Sequence, residues 1–307
     1  MNPYLSIVIP IYNEANNLEM LYQRLTTTLD ALGKTYEIIF TDDGSKDNSV
    51  KILEELHQRR PQQIRVIEFT KNFGQHMATM AGFAEARGDI IVTLDADLQN
   101  PPEEIPKLVA KMEEGYDLVS GCRENRQDTF FRKYVSLVIN FIRDKITRIK
   151  MTDHGCMLRA YRKDVIAAIV ATQEATIFIP ALAYNCAANP TEINVAHAER
   201  FAGQSKYRLY GLIRLNFDLM TGYSLVPLQF FTIFGCSIAL LSVLFVIYLI
   251  LRRIFVGPEV EGVFTLFAIV FFLIGVSLMG LGIMGEYIGR IYQEVRHRPR
   301  FVIKKKL

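Results

Sequence analysis

The chain has 307 residues, half of them hydrophobic, and its formal net charge at pH 7 is only +3. This length allows one large domain with an appendage, and the small net charge argues against a nucleic-acid partner held by general electrostatic attraction. The four cysteines lack metal-type spacing, which predicts buried, reduced thiols in a domain that faces the cytosol.

The first 120 residues alternate apolar, β-rich runs with helical patterns. Strands are expected at 4–10, 36–41, 64–69, 89–94 and 117–121, and helices near 15–32, 46–59, 75–87 and 103–114. This alternation predicts right-handed βαβ units, and hence an α/β fold on a mostly parallel, Rossmann-like sheet.

Two amphipathic stretches follow the expected sheet. Residues 128–150 form a basic, amphipathic helical pattern. This pattern suits a helix packed on the sheet, a helix at the membrane surface or a subunit contact equally well. Residues 207–227 mix aromatic and aliphatic side chains with arginines, which predicts a juxtamembrane helix in the membrane interface.

Two uncharged apolar stretches then come at 228–251 and 263–285. At about 1.5 Å per residue the first would reach roughly 36 Å, which is enough to cross a hydrocarbon core of about 30 Å. Both stretches are apolar all round, so a pair of buried core helices is the weaker interpretation. Glycines in the second stretch would permit close helix–helix contact; these are Gly275, Gly280, Gly282 and Gly285.

The basic residues after the second stretch outnumber those in the loop between the two. The positive-inside rule therefore predicts a multi-pass membrane protein with its N-terminal domain and C-terminus in the cytoplasm. We expect the basic tail to contact anionic lipid. The expected division is a catalytic domain at 1–206, a juxtamembrane helix at 207–227, a transmembrane hairpin at 228–285 and a basic cytoplasmic tail at 286–307.

An acidic turn follows the fourth expected strand. Asp95 and Asp97 lie at its carboxyl end, which is where open α/β sheets bind ligands. Their hard oxygen atoms suit Mg²⁺ or Mn²⁺ with a phosphate ester. The turn alone is only moderately specific, because acidic residues are common in ordinary turns.

Polar turns also end the first two expected strands. Residues 10–14 read Pro-Ile-Tyr-Asn-Glu, and residues 41–45 read Thr-Asp-Asp-Gly-Ser. Three polar strand ends at one sheet edge predict a single ligand crevice.

The chain has no glycine-rich phosphate loop, so basic side chains must meet phosphate charge. Candidates are Arg200, Ser205 and Lys206 just before the membrane segment, and Arg123 and Arg126 after the fifth strand. The simpler interpretation of Arg200 and Lys206 is that they are the basic residues that commonly flank a membrane segment on its cytoplasmic side.

Other polar residues near these turns carry two interpretations each. Asp153 and His154 could act in acid–base chemistry or form an ordinary polar turn. Gln75 and His76 could contact a sugar diphosphate from a helix N-terminus, or could simply cap that helix.

These motifs together resemble the family 2 glycosyltransferases with a GT-A fold, in the polyprenyl-phosphate branch. The matching runs are Pro-Ile-Tyr-Asn-Glu at 10–14, Asp-Asp-Gly-Ser at 42–45, Asp-Ala-Asp-Leu-Gln at 95–99, Arg-Phe-Ala-Gly-Gln-Ser-Lys-Tyr at 200–207 and Gly-Glu-Tyr-Ile-Gly-Arg at 285–290. The resemblance covers nearly the whole chain.

The resemblance implies inverting transfer of a sugar from a UDP-sugar to a lipid phosphate such as undecaprenyl phosphate. It implies that Asp97 ligates the metal, with Asp95 and Gln99 contacting metal and nucleotide-sugar. The implied uridine pocket contains Pro10, Tyr12, Glu14, Asp42 and Asp43. The implied phosphate ligands are Arg200, Ser205 and Lys206, while Asp153 lies near an acidic position of related enzymes.

Three rival functions stay open at this point. The same chemistry could act on glucose or mannose, or the protein could be a non-catalytic nucleotide-binding membrane scaffold. A processive polysaccharide synthase is disfavoured, because those enzymes use a tryptophan-containing acceptor motif and this chain has no tryptophan. The resemblance also favours a homo-oligomer, such as a tetramer.

Overall fold

A computed structural model describes residues 3–123, 153, 155–172, 178–196, 226–257, 263–296 and 299–307. It contains two compact units: one holds the N-terminal region and residues 297–307, and the other holds the apolar helices. The amphipathic stretch 128–150 and residues 207–225 of the second stretch lie outside the described residues, as do Arg126, His154, Arg200, Ser205 and Lys206.

The first unit alternates strands and helices as the sequence predicts. The strands are β1 (Leu5–Ile11), β2 (Tyr36–Asp42), β3 (Ile64–Phe69), β4 (Ile90–Thr93), β5 (Leu118–Arg123), β6 (Arg159–Arg162), β7 (Pro190–Val195) and β8 (Ile303–Lys306). The helices are α1 (Ala15–Leu32), α2 (Ser49–Arg59), α3 (Gln75–Glu85), α4 (Ile105–Glu113), α5 (Lys163–Ala171) and α6 (Ile179–Cys186), with a 3₁₀ turn at Pro102–Glu104.

The strands form one sheet in the order β7-β5-β6-β4-β1-β2-β3-β8. The central strands β4, β1, β2 and β3 are parallel, and β5 is parallel to β7. The α/β fold is therefore confirmed, but the sheet is mixed. The short strand β6 runs antiparallel between β4 and β5, and β8 runs antiparallel to β3.

The central strands are buried on both faces, as parallel strands between helical layers must be. Leu5, Ile7 and Ile9 of β1 pack in a cluster with α1, α2 and α4. Val8 points to the other face, into a cluster with α3, α5 and α6. Because both faces are covered, polar chemistry is confined to the strand ends.

The C-terminal residues of the predicted basic tail form a strand of the sheet, which the sequence does not predict. Strand β8 adds to the edge of the sheet, and the main-chain N–H groups of Val66 and Leu307 each donate to the other's carbonyl oxygen, at 3.0 and 2.8 Å. The ring of Phe301 stacks on Phe69 with centroids 5.0 Å apart. Backbone pairing and aromatic packing thus hold this segment on the first unit.

The second unit contains two long apolar helices, α7 (Val226–Phe255) and α8 (Val263–Val295). Leu228–Phe255 and Ile269–Val295 are long and apolar enough to cross a membrane, with mean hydropathies of 2.7 and 2.0. Helix α8 continues ten residues past the predicted end at 285, supported by an ion pair between Arg290 and Glu286 at 2.8 Å.

One of the four glycines predicted for close helix contact has that role within the described residues. A side chain at Gly280 would collide with the ring of Phe231 on α7. Side chains built at the others would meet no described atom within 4 Å; they are Gly275, Gly282 and Gly285. All four cysteines are free, as predicted, but the prediction that they are buried holds only for Cys156. Cys122 and Cys186 are half-buried, and Cys236 on α7 is exposed.

Candidate active site

The turns after β1 and β2 are joined by hydrogen bonds at the carboxyl edge of the sheet. Asn13 adopts a left-handed conformation with φ of 54°, and its main-chain N–H donates to Ser45 Oγ at 2.9 Å. Its side-chain Oδ1 accepts from the Lys46 N–H at 2.8 Å. Pro10 pairs in register with Thr41 of β2. The two polar turns predicted to share a crevice therefore do lie together.

Glu14 lies at the start of α1 in this edge. Its main-chain N–H donates to Ser49 Oγ at 3.1 Å, and its Oε2 accepts from Asn17 Nδ2 at 2.6 Å. These bonds fix the carboxylate near the crevice. A direct contact with uridine stays a prediction.

The paired aspartates after β2 have different surroundings. Asp42 is fully buried and accepts the Ser45 N–H at 3.0 Å, while its Oδ1 accepts no hydrogen bond from any described residue. Burial raises the pKa of Asp42. Asp43 instead accepts the N–H groups of Phe73 and Gly74, at 2.6 and 2.9 Å. Asp43 thus braces the neighbouring turn, whereas Asp42 is buried beneath its own turn.

Gly44 follows this pair in a conformation that favours glycine. Its φ is 68°, and a side chain there would collide with the main chain of Lys71. The absence of a side chain therefore lets the turns after β2 and β3 approach each other closely.

The acidic turn after β4 is held from two directions. Gln75, the first residue of α3, donates from Nε2 to Asp95 Oδ1 at 2.6 Å. Asp97 is 7% exposed, and its Oδ1 accepts the main-chain N–H of Gln99 at 3.1 Å. Leu98 between them has a φ of 62°, which closes the turn. The sequence predicted both Gln75 and Asp95 for the nucleotide-sugar site, and the structure brings these two into contact.

Asp153 forms an ion pair with Arg123 at the end of β5. Arg123 donates from Nε to Oδ2 at 2.5 Å and from Nη2 to Oδ1 at 2.8 Å, and the Gly155 N–H adds a bond of 3.0 Å. Burial opposes the charge on Asp153, but the hydrogen bonds and charge of Arg123 outweigh it and lower the pKa of this carboxyl. Such a carboxylate is a poor proton acceptor near neutral pH and a good orienting partner for Arg123.

His76 is a neutral group in this structure. Burial, and next the positive charge of Arg159, lower the pKa of His76 to about 4. Its ring meets Phe178 edge-to-face with centroids 5.4 Å apart. Its Nδ1 is shielded from solvent and makes no hydrogen bond within the described part of the chain.

Arg159 is fully buried beneath this region, and no sequence motif indicates a role for it. It donates from Nε to the Cys156 carbonyl at 2.9 Å and from Nη2 to the Asp153 carbonyl at 3.3 Å. Arg159 thereby ties the Asp153 loop to β6. A buried arginine on a short strand has no distinguishing signal in a single sequence.

A cavity of about 510 Å³ opens at the carboxyl ends of β1, β2 and β3. Aromatic, polar, cationic and acidic residues all line it; among them are Tyr12, Asn72, Lys46, Lys71, Lys304 and Glu68. Of these, the sequence predicted only Tyr12. Lys304 belongs to the last strand, so its arrival in this wall depends on the tertiary fold.

The described residues contain no group of three or more His, Cys, Asp and Glu side chains arranged for a metal ion. The candidate metal ligands are thus the two predicted carboxylates, Asp95 and Asp97. Mg²⁺ is often held by one or two carboxylates with substrate phosphates completing its shell. The chemistry of this donor set therefore fits a divalent cation that arrives with a diphosphate.

The mixed sheet with polar strand ends is the GT-A fold of the nucleotide-sugar transferases. A glucosyl-3-phosphoglycerate synthase from Mycobacterium tuberculosis, crystallised with Mn²⁺, UDP-glucose and phosphoglyceric acid, shares it with a TM-score of 0.52. The match covers 72% of this chain and 78% of that one at 17% sequence identity.

Sequence comparison then identifies the family. The model of Glycosyl transferase family 2 matches residues 6–170, and this chain belongs to that family and is a glycosyltransferase. It is similar to the undecaprenyl-phosphate 4-deoxy-4-formamido-L-arabinose transferase of Edwardsiella ictaluri, with 49% identity over 98% of this chain and 93% of the relative. The same transferase of Shewanella sediminis is also 49% identical, over 98% of this chain and 92% of the relative.

Proposed function

We propose that this glycosyltransferase moves 4-deoxy-4-formamido-L-arabinose from a UDP-linked donor to undecaprenyl phosphate. The product would supply a lipid-linked sugar for lipid A modification and so contribute to polymyxin resistance. The observation that carries this proposal is 49% identity over 98% of the chain to relatives that bear this activity in their names.

The nucleotide half of the donor is assigned to the cavity at the ends of β1, β2 and β3. Tyr12 lines this cavity and offers an aromatic face to a base. Asp42 is fully buried, so its contact with a base N–H stays a prediction. Pro10 and Glu14 border the same turns. Asp43 contributes by holding the adjacent turn in place.

The diphosphate end is assigned to the turn after β4. Asp95 and Asp97 would hold Mg²⁺ or Mn²⁺ there, with Gln75 orienting Asp95 and the Gln99 N–H orienting Asp97. When bound, the cation would supply Lewis-acid stabilisation of the departing UDP. His76, neutral at pH 7, adds a polar group without a competing positive charge.

The nucleophile in this reaction is a lipid phosphate, which is already ionised near pH 7. A strong general base is therefore unnecessary, and the pairing of Asp153 with Arg123 agrees with this requirement. Arg123, fixed by two bonds to Asp153, would orient a phosphate of donor or acceptor. Arg126, Arg200, Ser205 and Lys206 stay predicted phosphate ligands. Holding both reactants in one crevice would supply much of the rate and favour direct displacement with inversion.

The acceptor places this chemistry at a bilayer. The two apolar helices suit anchorage in the bacterial inner membrane, with the catalytic domain and C-terminus in the cytoplasm. The contact of Gly280 with Phe231 supports a packed helix pair. A homo-oligomer, with four subunits as the leading expectation, belongs to the same proposal.

Turnover of the purified full-length protein tests this proposal. With undecaprenyl phosphate and Mg²⁺, we expect transfer from the UDP-4-deoxy-4-formamido-L-arabinose donor to exceed transfer from UDP-glucose and GDP-mannose by about 100-fold or more, since a site built for a polar substituent rejects analogues that lack it. Comparable transfer of glucose or mannose would favour the first rival function. UDP binding without any transfer would favour the scaffold.

An Asp97→Asn variant tests the metal ligand within the same assay. It should lose about 100-fold or more of the transfer rate, because a neutral amide binds a hard cation poorly. Asp30→Asn is the matched control. Asp30 is an exposed carboxylate, and it lines a second cavity at the opposite edge of the sheet, away from the candidate active site. Transfer that survives both Asp97→Asn and EDTA would contradict the metal-assisted reaction.

A further inference from the structure

The C-terminal strand brings three consecutive lysines onto the first unit, each beside a different carboxylate. Lys304 Nζ lies 2.6 Å from Glu68, Lys305 Nζ lies 2.7 Å from Glu54, and Lys306 Nζ lies 2.5 Å from Glu85. All three lysines are exposed, and pairs with exposed lysines contribute little to stability, although Glu68 is the most buried of the three carboxylates.

They differ in where they lie. Lys304 and Glu68 both line the 510 Å³ cavity at the ends of β1, β2 and β3, whereas Lys305 and Lys306 do not. The backbone explains this position, because a register shift between Glu68 and Phe69 lies opposite Lys304 in the pairing of β3 with β8.

Glu68 is an electrostatic obstacle in a cavity that must receive the nucleotide end of a negatively charged donor. Its side chain is only 12% exposed, so water screens its charge poorly, and that charge adds to the upward shift of the pKa of Asp42. Lys304 is 61% exposed and contacts Glu68 directly. The ammonium group thus neutralises the carboxylate while staying open to the cavity, which Lys46 and Lys71 also line.

We propose that Lys304 is a donor-positioning residue: by neutralising Glu68, it allows the cavity to accept the negatively charged nucleotide of the sugar donor. This inference rests on the proposed function, because it assigns the donor nucleotide to this cavity. It makes the last strand, which follows the second apolar helix in the chain, part of the donor site.

Calorimetric titration of UDP into the full-length protein with MgCl₂ tests the inference. Lys304→Gln keeps the length of the side chain but removes its charge, and should raise the Kd for UDP about three- to tenfold. Lys305→Gln removes an equivalent pair on the same strand outside the cavity, and should leave the Kd within about twofold of wild type. The difference between the two variants should shrink in 0.5 M NaCl, because salt weakens the repulsion between the nucleotide and a Glu68 carboxylate that has lost its lysine partner.

A second variant tests the role of Glu68. Adding Glu68→Gln to Lys304→Gln should restore most of the affinity, since the carboxylate no longer needs a counter-charge. Equal affinities of the Lys304→Gln and Lys305→Gln proteins, or no recovery in the double variant, would overturn the inference while leaving the proposed function intact. A wild-type protein that neither binds UDP nor transfers sugar would instead overturn the proposed function, and this inference with it.

Discussion

Replacing Asp153 with asparagine separates two roles for this carboxylate, a general base and a partner that orients Arg123. Asparagine has nearly the same shape and keeps one oxygen for the guanidinium, but it has no charge. If Asp153 orients Arg123, then losing either member of the pair should have the same consequence, because both changes leave Arg123 misplaced or absent.

The size of the effect follows from the contacts. Arg123 makes two short bonds to Asp153, at 2.5 and 2.8 Å, and both side chains are largely buried, at 21% and 7% exposed. A hydrogen bond to a charged group contributes about 1.5–3 kcal/mol, and asparagine keeps one of the two as a weaker bond. We therefore expect Asp153→Asn to cost about 2 kcal/mol in transition-state stabilisation, or roughly 30-fold in kcat/KM.

The assay is steady-state sugar transfer by wild type, Asp153→Asn, Arg123→Gln and the double variant. The double variant should be no slower than Arg123→Gln alone, because residues that act as a unit are non-additive. The pH dependence of kcat/KM between pH 6 and 8 should be unchanged in Asp153→Asn, because Arg123 already holds the pKa of Asp153 below its ordinary range. Losses that multiply in the double variant, or an altered pH profile, would refute the orienting role.

Two further predictions concern α3. As pH falls from 7 to 5, His76 becomes protonated in the unfolded chain but not in the folded protein, where the pKa of His76 is about 4. Between these two pH values the wild-type protein should therefore lose about 2 kcal/mol more unfolding free energy than the His76→Asn variant. Thermal unfolding at both pH values measures this difference. Equal losses would contradict the shielding of His76. Gln75→Leu removes the 2.6 Å bond to Asp95 and should raise the donor KM about tenfold, whereas Gln23→Leu on the exposed face of α1 should not change it. An unchanged KM in both would remove Gln75 from the donor site.

Much of the fold could be predicted because its elements carry local signals. The predicted strand at 64–69 and the predicted helix at 15–32 match β3 and α1 residue for residue. Strand β3 is apolar and mostly β-branched except at Arg65 and Glu68, and α1 carries apolar residues at helical spacing, so each pattern can be recognised without its neighbours.

The additions to the sheet could not be predicted in the same way. Strand β6 has four residues and contains Arg159 and Arg162, and β8 has three lysines in four residues. Neither has the apolar pattern of a strand, because β6 gains its stability from two neighbouring strands and β8 lies at an edge, where lysine is tolerated.

The candidate site divides along the same line. The turns at 10–14, 41–45 and 95–99 could be predicted to lie together. Each follows a predicted strand, and the carboxyl ends of parallel strands lie at the same edge of the sheet. The side-chain partnerships of Gln75 with Asp95 and of Arg123 with Asp153 join residues 20 and 30 positions apart. Such pairings depend on how loops approach one another, which a strand pattern does not specify.

The sequence by itself determined the α/β order of elements, the edge of the sheet that carries polar groups, and the two apolar helices, because each follows from the period and composition of a contiguous stretch. Only the tertiary structure decided that Asp43 braces a turn, that Asp153 is committed to Arg123, and that Lys304 reaches the cavity beside Tyr12. The physical reason is range: hydrophobic periodicity is local, whereas charge neutralisation and hydrogen bonding at a site are set by chain segments that meet only after folding.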